Sequence, residues 1–138
     1  MAKMVKVGMA DLNICHSPDA ITTLGLGSCV GVALYDKNTK TAGLVHVMLP
    51  DSTKVRQNQN RAKFADTGID YLIELLEKEG AKKSSLTAKI AGGAQMFAFS
   101  SSNDMLRVGE RNVEAVKDKL KKLGIRILAE DTGLNYGR

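Results

Sequence analysis

Aromatic residues are scarce in this chain of 138: three tyrosines, three phenylalanines and no tryptophan, 4% in all. Nucleic acids are usually held by a concentrated basic patch with stacking aromatics. Here 20 basic residues against 15 acidic ones give a net charge of +5, and the lysines are spread over the chain. A solvated basic surface follows, and no nucleic-acid site. Cysteines are equally few, Cys15 and Cys29. A chain kept in a reducing compartment is not expected to pair them. The two histidines, His16 and His46, add little toward a metal site, because Cys15 and His16 are adjacent rather than spaced like zinc ligands. No apolar run reaches the roughly 20 residues a membrane helix needs. The opening Met-Ala-Lys-Met-Val-Lys-Val lacks a signal-peptide core. A cytoplasmic protein without membrane insertion is expected. Gly92-Gly93 superficially suggests phosphate binding, but neither a Walker lysine nor a six-residue glycine fingerprint accompanies it.

What is present suits one domain spanning residues 1–138, with 43% hydrophobic and 25% charged residues. Val5, Val7 and Met9 alternate, so Lys3 to Met9 reads as a strand, which Leu12 and Ile14 continue after a kink. Pro18-Asp19 reads as a turn and Ala20 to Leu24 as a short strand. Helical spacing of Ala65, Ile69, Leu72, Ile73 and Leu76 predicts a helix over Ala62–Glu79, ended by Gly80. Leu86–Ile90 reads as a strand. A second helix is expected over Arg111–Leu123, with Val113, Val116, Leu120 and Leu123 inward and Gly124 as cap. Ile125–Ala129 is a further strand. Strands and helices alternate too irregularly for a doubly wound sheet, so the expected class is α+β.

The chain is organised around Thr22 to Ser52. Val30, Val32 and Leu34 alternate with Cys29, Gly31, Ala33 and Tyr35, and Leu44, His46 and Met48 alternate likewise across the polar break Asp36-Lys37-Asn38-Thr39-Lys40. An antiparallel hairpin turning between Lys37 and Asn38 sets Cys29 directly opposite His46, with Cβ atoms about 4.5–5.5 Å apart. A slip of one residue would send them to opposite faces. A thiol beside an imidazole is a nucleophile pair, with the imidazole lowering the thiol pKa. Glycines before Cys29 allow close approach of a substrate. The residues alone leave a second reading open, a buried core cysteine and a satisfied core histidine.

Thr23-Leu-Gly-Leu-Gly-Ser-Cys29 followed by His46-Val-Met-Leu-Pro-Asp-Ser52 resembles the chemoreceptor glutamine deamidase family, CheD. Ala91-Gly-Gly-Ala-Gln-Met-Phe97, Gly109-Glu-Arg-Asn-Val113 and Ala129-Glu-Asp-Thr-Gly133 match its pattern too, so the resemblance runs nearly the whole chain. It implies β-sheet layers around a central Cys/His hairpin with flanking helices, similar to toxin-type cysteine deamidases. It carries catalytic roles to Cys29 and His46 and a third functional role to Thr23, which would orient His46 or contact the substrate. The implied reaction converts receptor glutamines to glutamates through a thioester, with backbone N–H groups at Gly27 and Ser28 holding the oxyanion and no metal or organic cofactor. Receptor methylesterase activity could accompany it. The resemblance also implies two partners, acidic helices of methyl-accepting chemotaxis receptors and a CheC-type phosphatase. A non-catalytic adaptor binding the same partners is the alternative, and a papain-like protease shares the Cys–His chemistry. Lys54 and Arg56 in the polar stretch 54–61, and Phe97 and Phe99 beside the Ser-Ser-Ser-Asn-Asp run, are the candidate partner contacts. Members of the family continue with further strand residues past the position of Arg138.

Overall fold

Valine-rich alternation builds the centre of a twisted sheet, in which β4 (Val30–Asp36) lies between β5 (Thr41–Val47) and β6 (Leu86–Gly92). A computed structural model describes residues 2–54, 60–95 and 107–138, with the backbone alone for Lys54. β2 (Leu12–His16) borders β5, and β7 (Arg126–Thr132) borders β6, giving the order β2-β5-β4-β6-β7. All neighbours in this sheet are antiparallel except β6 and β7. The first strand, β1 (Met4–Val7), pairs in parallel with β3 (Ala20–Thr23) as a separate two-stranded sheet. The expected continuation of β1 into Leu12 and Ile14 is instead a second strand in the other sheet. The intervening turn passes through Ala10 at φ 54°.

The two faces of the large sheet do different things. Val30, Val32, Leu34, Val45 and Val47 are fully buried against α1 (Ala65–Lys78) and α2 (Val108–Leu123). Their alternate neighbours, Gly31, Leu44 and His46, face the β1–β3 pair, which packs on β5. The fold is α+β in three layers: helices, large sheet, small sheet. α1 presents Ile69, Leu72, Ile73 and Leu76 to the core, as the spacing predicts. It starts three residues later than expected, because Arg61–Lys63 forms a 3-10 turn capped by the Asn60 side chain and Phe64 is extended, bridging to Leu49. α2 starts three residues earlier than expected. Val116 and Leu120 are buried, while Val113 and Leu123 lie at the core edge. Gly124 closes the helix in the left-handed region at φ 73°.

The β4–β5 hairpin exists, but its register differs from the expected one. Val30 pairs with Val47 and Gly31 with His46, so His46 stands opposite the residue two past Cys29. The cause is Asp36, which stays in the strand as the partner of Thr41. Its carboxylate accepts from the Asn38 N–H at 2.8 Å and, from a distant loop, from the Lys82 N–H at 3.0 Å. Burial pushes the Asp36 carboxyl up, but these bonds and those from Thr39 outweigh it and hold the group below its ordinary range. The loop therefore runs over Lys37–Lys40, one residue further along than expected. A shift of two keeps every side chain on its face.

Candidate active site

Cys29 sits one residue before β4, at the end of the glycine-rich turn, and is buried. Extending the β4–β5 ladder by one step would place it opposite Met48, so His46 is its diagonal neighbour on the same face. Such neighbours lie about 7–8 Å apart, within reach of long side chains. Three successive carbonyls of the turn are tied down: Gly27 to the Ala94 N–H at 2.8 Å, Ser28 to the Asn112 amide at 2.9 Å, and Cys29 to the Gly93 N–H at 2.8 Å. Gly92 must be glycine here, since its φ is 109° and a Cβ would stand 2.2 Å from the Cys29 carbonyl oxygen. The Gly92-Gly93 passage thus supports the cysteine turn from behind and is no phosphate loop.

His46 is fully buried between the two sheets. Its Nδ1 lies 2.8 Å from the Thr23 hydroxyl, which itself donates to the Val7 carbonyl at 2.7 Å. A hydroxyl has one proton to give. With that proton on Val7, Thr23 must accept from Nδ1–H, and the neutral imidazole then carries a bare lone pair on Nε2. That nitrogen is buried with no hydrogen-bond partner among the described residues. A buried unpartnered nitrogen is rare in a core that exists for stability alone. Thr23 therefore holds the His46 ring through Nδ1.

Burial pushes the Cys29 thiol up and the His46 imidazole down. No hydrogen bond joins them among the described residues. The resting pair is thus thiol and neutral imidazole, where the sequence predicts a lowered thiol. Cys15, the other free cysteine, lies in β2 with its thiol 3.7 Å from the Asp19 carbonyl oxygen, away from this pair. His16 is held by Thr41 and Glu79 at 3.2 and 2.8 Å.

The amides of the turn are unequal. The Gly27 N–H donates to the Gly25 carbonyl at 3.0 Å. Those of Ser28 and Cys29 make no hydrogen bond among the described residues. A groove of about 980 Å³ begins at Leu49–Asp51 and runs along α2 past Arg111, Glu114, Asp118 and Lys119, but neither Cys29 nor His46 lines it. Of the candidate partner contacts, Arg56, Phe97 and Phe99 and the Lys54 side chain lie outside the described residues. Arg61, at the far end of that polar stretch, stacks 4.5 Å over Tyr71 and pairs with Glu74.

The comparisons with known proteins bear on this geometry. Residues 48–138 match the family model described as CheD chemotactic sensory transduction. Over 138 residues the chain is 72% identical to the probable chemoreceptor glutamine deamidase CheD of Lachnoclostridium phytofermentans, covering 100% of this chain and 86% of that protein. The chain belongs to the CheD family. It is also 60% identical to the chemoreceptor glutamine deamidase CheD of Halalkalibacterium halodurans, covering 100% of this chain and 86% of that one. The CheD of Bacillus subtilis is 53% identical, with 99% and 83% covered. The stretch matched to the CheD model begins two residues after His46, so Thr23, Cys29 and His46 are spanned by the CheD relatives and not by the model.

One buried residue against the cysteine turn is given no role by the sequence pattern: Asn112. The signal was present, since 112, 116 and 120 form one row of the helix, and a polar residue on that apolar row asks for a buried partner.

The electrostatics can be tested directly. Iodoacetamide labelling of Cys29 in the free protein should be half-maximal above the ordinary thiol value of about 8.5. His46→Ala should leave that profile unchanged. A half-point below that value that rises in His46→Ala would show an ion pair formed before substrate binds.

Proposed function

We propose that this chain hydrolyses the side-chain amides of specific glutamines in chemotaxis receptors, with Cys29 as nucleophile, His46 as proton carrier and Thr23 as the group that orients His46. The observation that carries this is the bare, buried Nε2 of His46 with Nδ1 anchored by Thr23; one further step of the β4–β5 ladder would set Cys29 on the same face. Family membership supports the substrate class. As a glutamine carboxamide reaches Sγ, His46 Nε2 takes the thiol proton and sulfur bonds to the amide carbon. The resulting oxyanion is held by the Ser28 and Cys29 N–H groups, since the Gly27 N–H is already engaged. The Nε2 proton passes to the departing nitrogen, the C–N bond breaks and ammonia leaves a thioester. Water adds to that carbon with its proton going to Nε2. The C–S bond then breaks, the Nε2 proton returns to sulfur, and glutamate leaves with the thiol and the neutral imidazole restored. Two neutral groups suit this scheme, because the proton moves with the attack rather than ahead of it.

The experiment is mass spectrometry of receptor cytoplasmic helices after incubation with the protein. Each modified glutamine should gain about one dalton as NH₂ becomes OH, with ammonia released in equal amount. Peptide-bond cleavage, or binding without a mass change, would overturn this reading in favour of a protease or an adaptor. A cytoplasmic site of action and a CheC-type phosphatase as second partner follow from the same reading. Among the described residues no helix is long and apolar enough to cross a membrane.

A further inference from the structure

Asn112 is fully buried, in the second turn of α2, and its Nδ2 donates to two backbone carbonyls, Ser28 and Met48, each at 2.9 Å. These come from the two stretches that carry the reacting side chains. Ser28 precedes Cys29, and Met48 follows His46 by two residues. The β4–β5 ladder ends at Val30 and Val47, two residues short of Ser28 and one short of Met48. The asparagine amide therefore supplies a link beyond the end of the sheet. Both of its N–H donors are used on carbonyls, which also fixes which way the amide is turned. Its Oδ1 is left buried with no partner among the described residues. An apolar residue would complete the Val116–Leu120 row without that orphan acceptor, so packing alone does not account for an amide here.

The helix that carries Asn112 is itself fixed against the turn. A Cβ at Gly109 would stand 2.4 Å from the Ala94 carbonyl oxygen and 2.6 Å from that of Gly93, so α2 begins in backbone contact with the passage that ties down Gly27 and Cys29. The Ser28–Cys29 peptide is trans, and in a trans peptide C=O and N–H point in opposite directions from one plane. A bond that draws the Ser28 carbonyl toward α2 turns the Cys29 N–H the other way.

We propose that Asn112 is a positioning residue: by holding the Ser28 carbonyl it sets the Ser28–Cys29 peptide plane and aims the Cys29 N–H at the oxyanion formed on the attacked amide. This rests on the hydrolytic reading above. The carbonyls of Gly27 and Cys29 are tied by backbone alone, so Asn112 is the side chain through which the direction of this donor can be altered.

The test compares wild type with Asn112→Leu, which keeps the size and removes both donors, and with Asn112→Ser, which keeps a small polar group but cannot span both carbonyls. Activity per folded molecule is measured on receptor helices well below each variant's melting midpoint. A misdirected oxyanion donor should lower kcat by about 10- to 100-fold, with KM within about twofold of wild type. Iodoacetamide labelling of Cys29, which forms no oxyanion, should keep its pH profile. If both variants melt earlier yet retain wild-type kcat, Asn112 is only structural and the proposal is overturned. It is overturned equally if neither variant folds, or if the labelling profile moves with kcat. Wild type inactive on every glutamine would instead refute the hydrolytic reading, and this inference with it.

Discussion

Cys29→Ala should release no ammonia from receptor helices while keeping the native fold. The bonds that tie down the Gly27, Ser28 and Cys29 carbonyls are made by the backbone of the turn, and alanine retains all three. The substitution removes one buried sulfur, a loss of about 1 kcal/mol on the scale of a buried methylene. The melting midpoint should fall by only a few degrees in a domain of this size, roughly 2–5 °C. Without a sulfur nucleophile the thioester route is closed, and turnover should drop by about four orders of magnitude or more. Cys15→Ala is the control. That thiol lies in β2 and bonds to the Asp19 carbonyl, so ammonia release should match wild type. Substantial activity in purified Cys29→Ala would falsify the assignment of the nucleophile.

Thr23→Val should be the next most damaging change. Valine keeps the branched shape that the end of β3 accommodates, and the loss is the hydroxyl oxygen that receives Nδ1–H. The imidazole can then rotate or move its proton to Nε2, and an Nε2–H cannot accept the thiol proton. Removing the partner that fixes a histidine tautomer in hydrolase triads costs up to about 10⁴-fold. Here a kcat loss of about 10²- to 10⁴-fold is expected, with KM little changed. The Val7 carbonyl also loses its donor, a cost of about 1 kcal/mol that should appear as slightly lower stability. Thr23→Ser keeps the oxygen and should retain most of the activity. A valine variant within about twofold of wild type would mean that Thr23 does not set the tautomer.

Much of this site was legible because side-chain alternation is local. Val30, Val32 and Leu34 announced β4, His46 fell on the face opposite to them, and a face assignment survives a register shift of two. The shift itself was not legible. It goes with the bonds that hold Asp36 in the strand, and one of these comes from the Lys82 N–H, outside residues 29–46. The β1–β3 pairing was hidden for the same reason, since parallel partners share no turn that would reveal them. The start of α1 was misjudged because Ala62 fits the apolar face, while the bridge of Phe64 to Leu49 holds that residue extended. The thiol was expected low because sequence shows a neighbour's identity but not the desolvation around it. Asn112 stood in a motif whose pattern was recognised, yet its two carbonyl partners lie 84 and 64 residues away.

The burial of Cys29 also bears on how the protein survives between encounters with its substrate. Peroxides, disulfides and alkylating metabolites all attack the thiolate, and a thiol held above its ordinary pKa offers only a few per cent of that form, or less, near neutral pH. A preformed thiolate–imidazolium pair would be permanently exposed to this chemistry. In the proposed mechanism His46 waits with a free lone pair and the sulfur keeps its proton, so reactivity toward oxidants and reactivity toward glutamine are separated. Activation by the arriving amide, as that mechanism has it, would let the enzyme stay idle without being consumed.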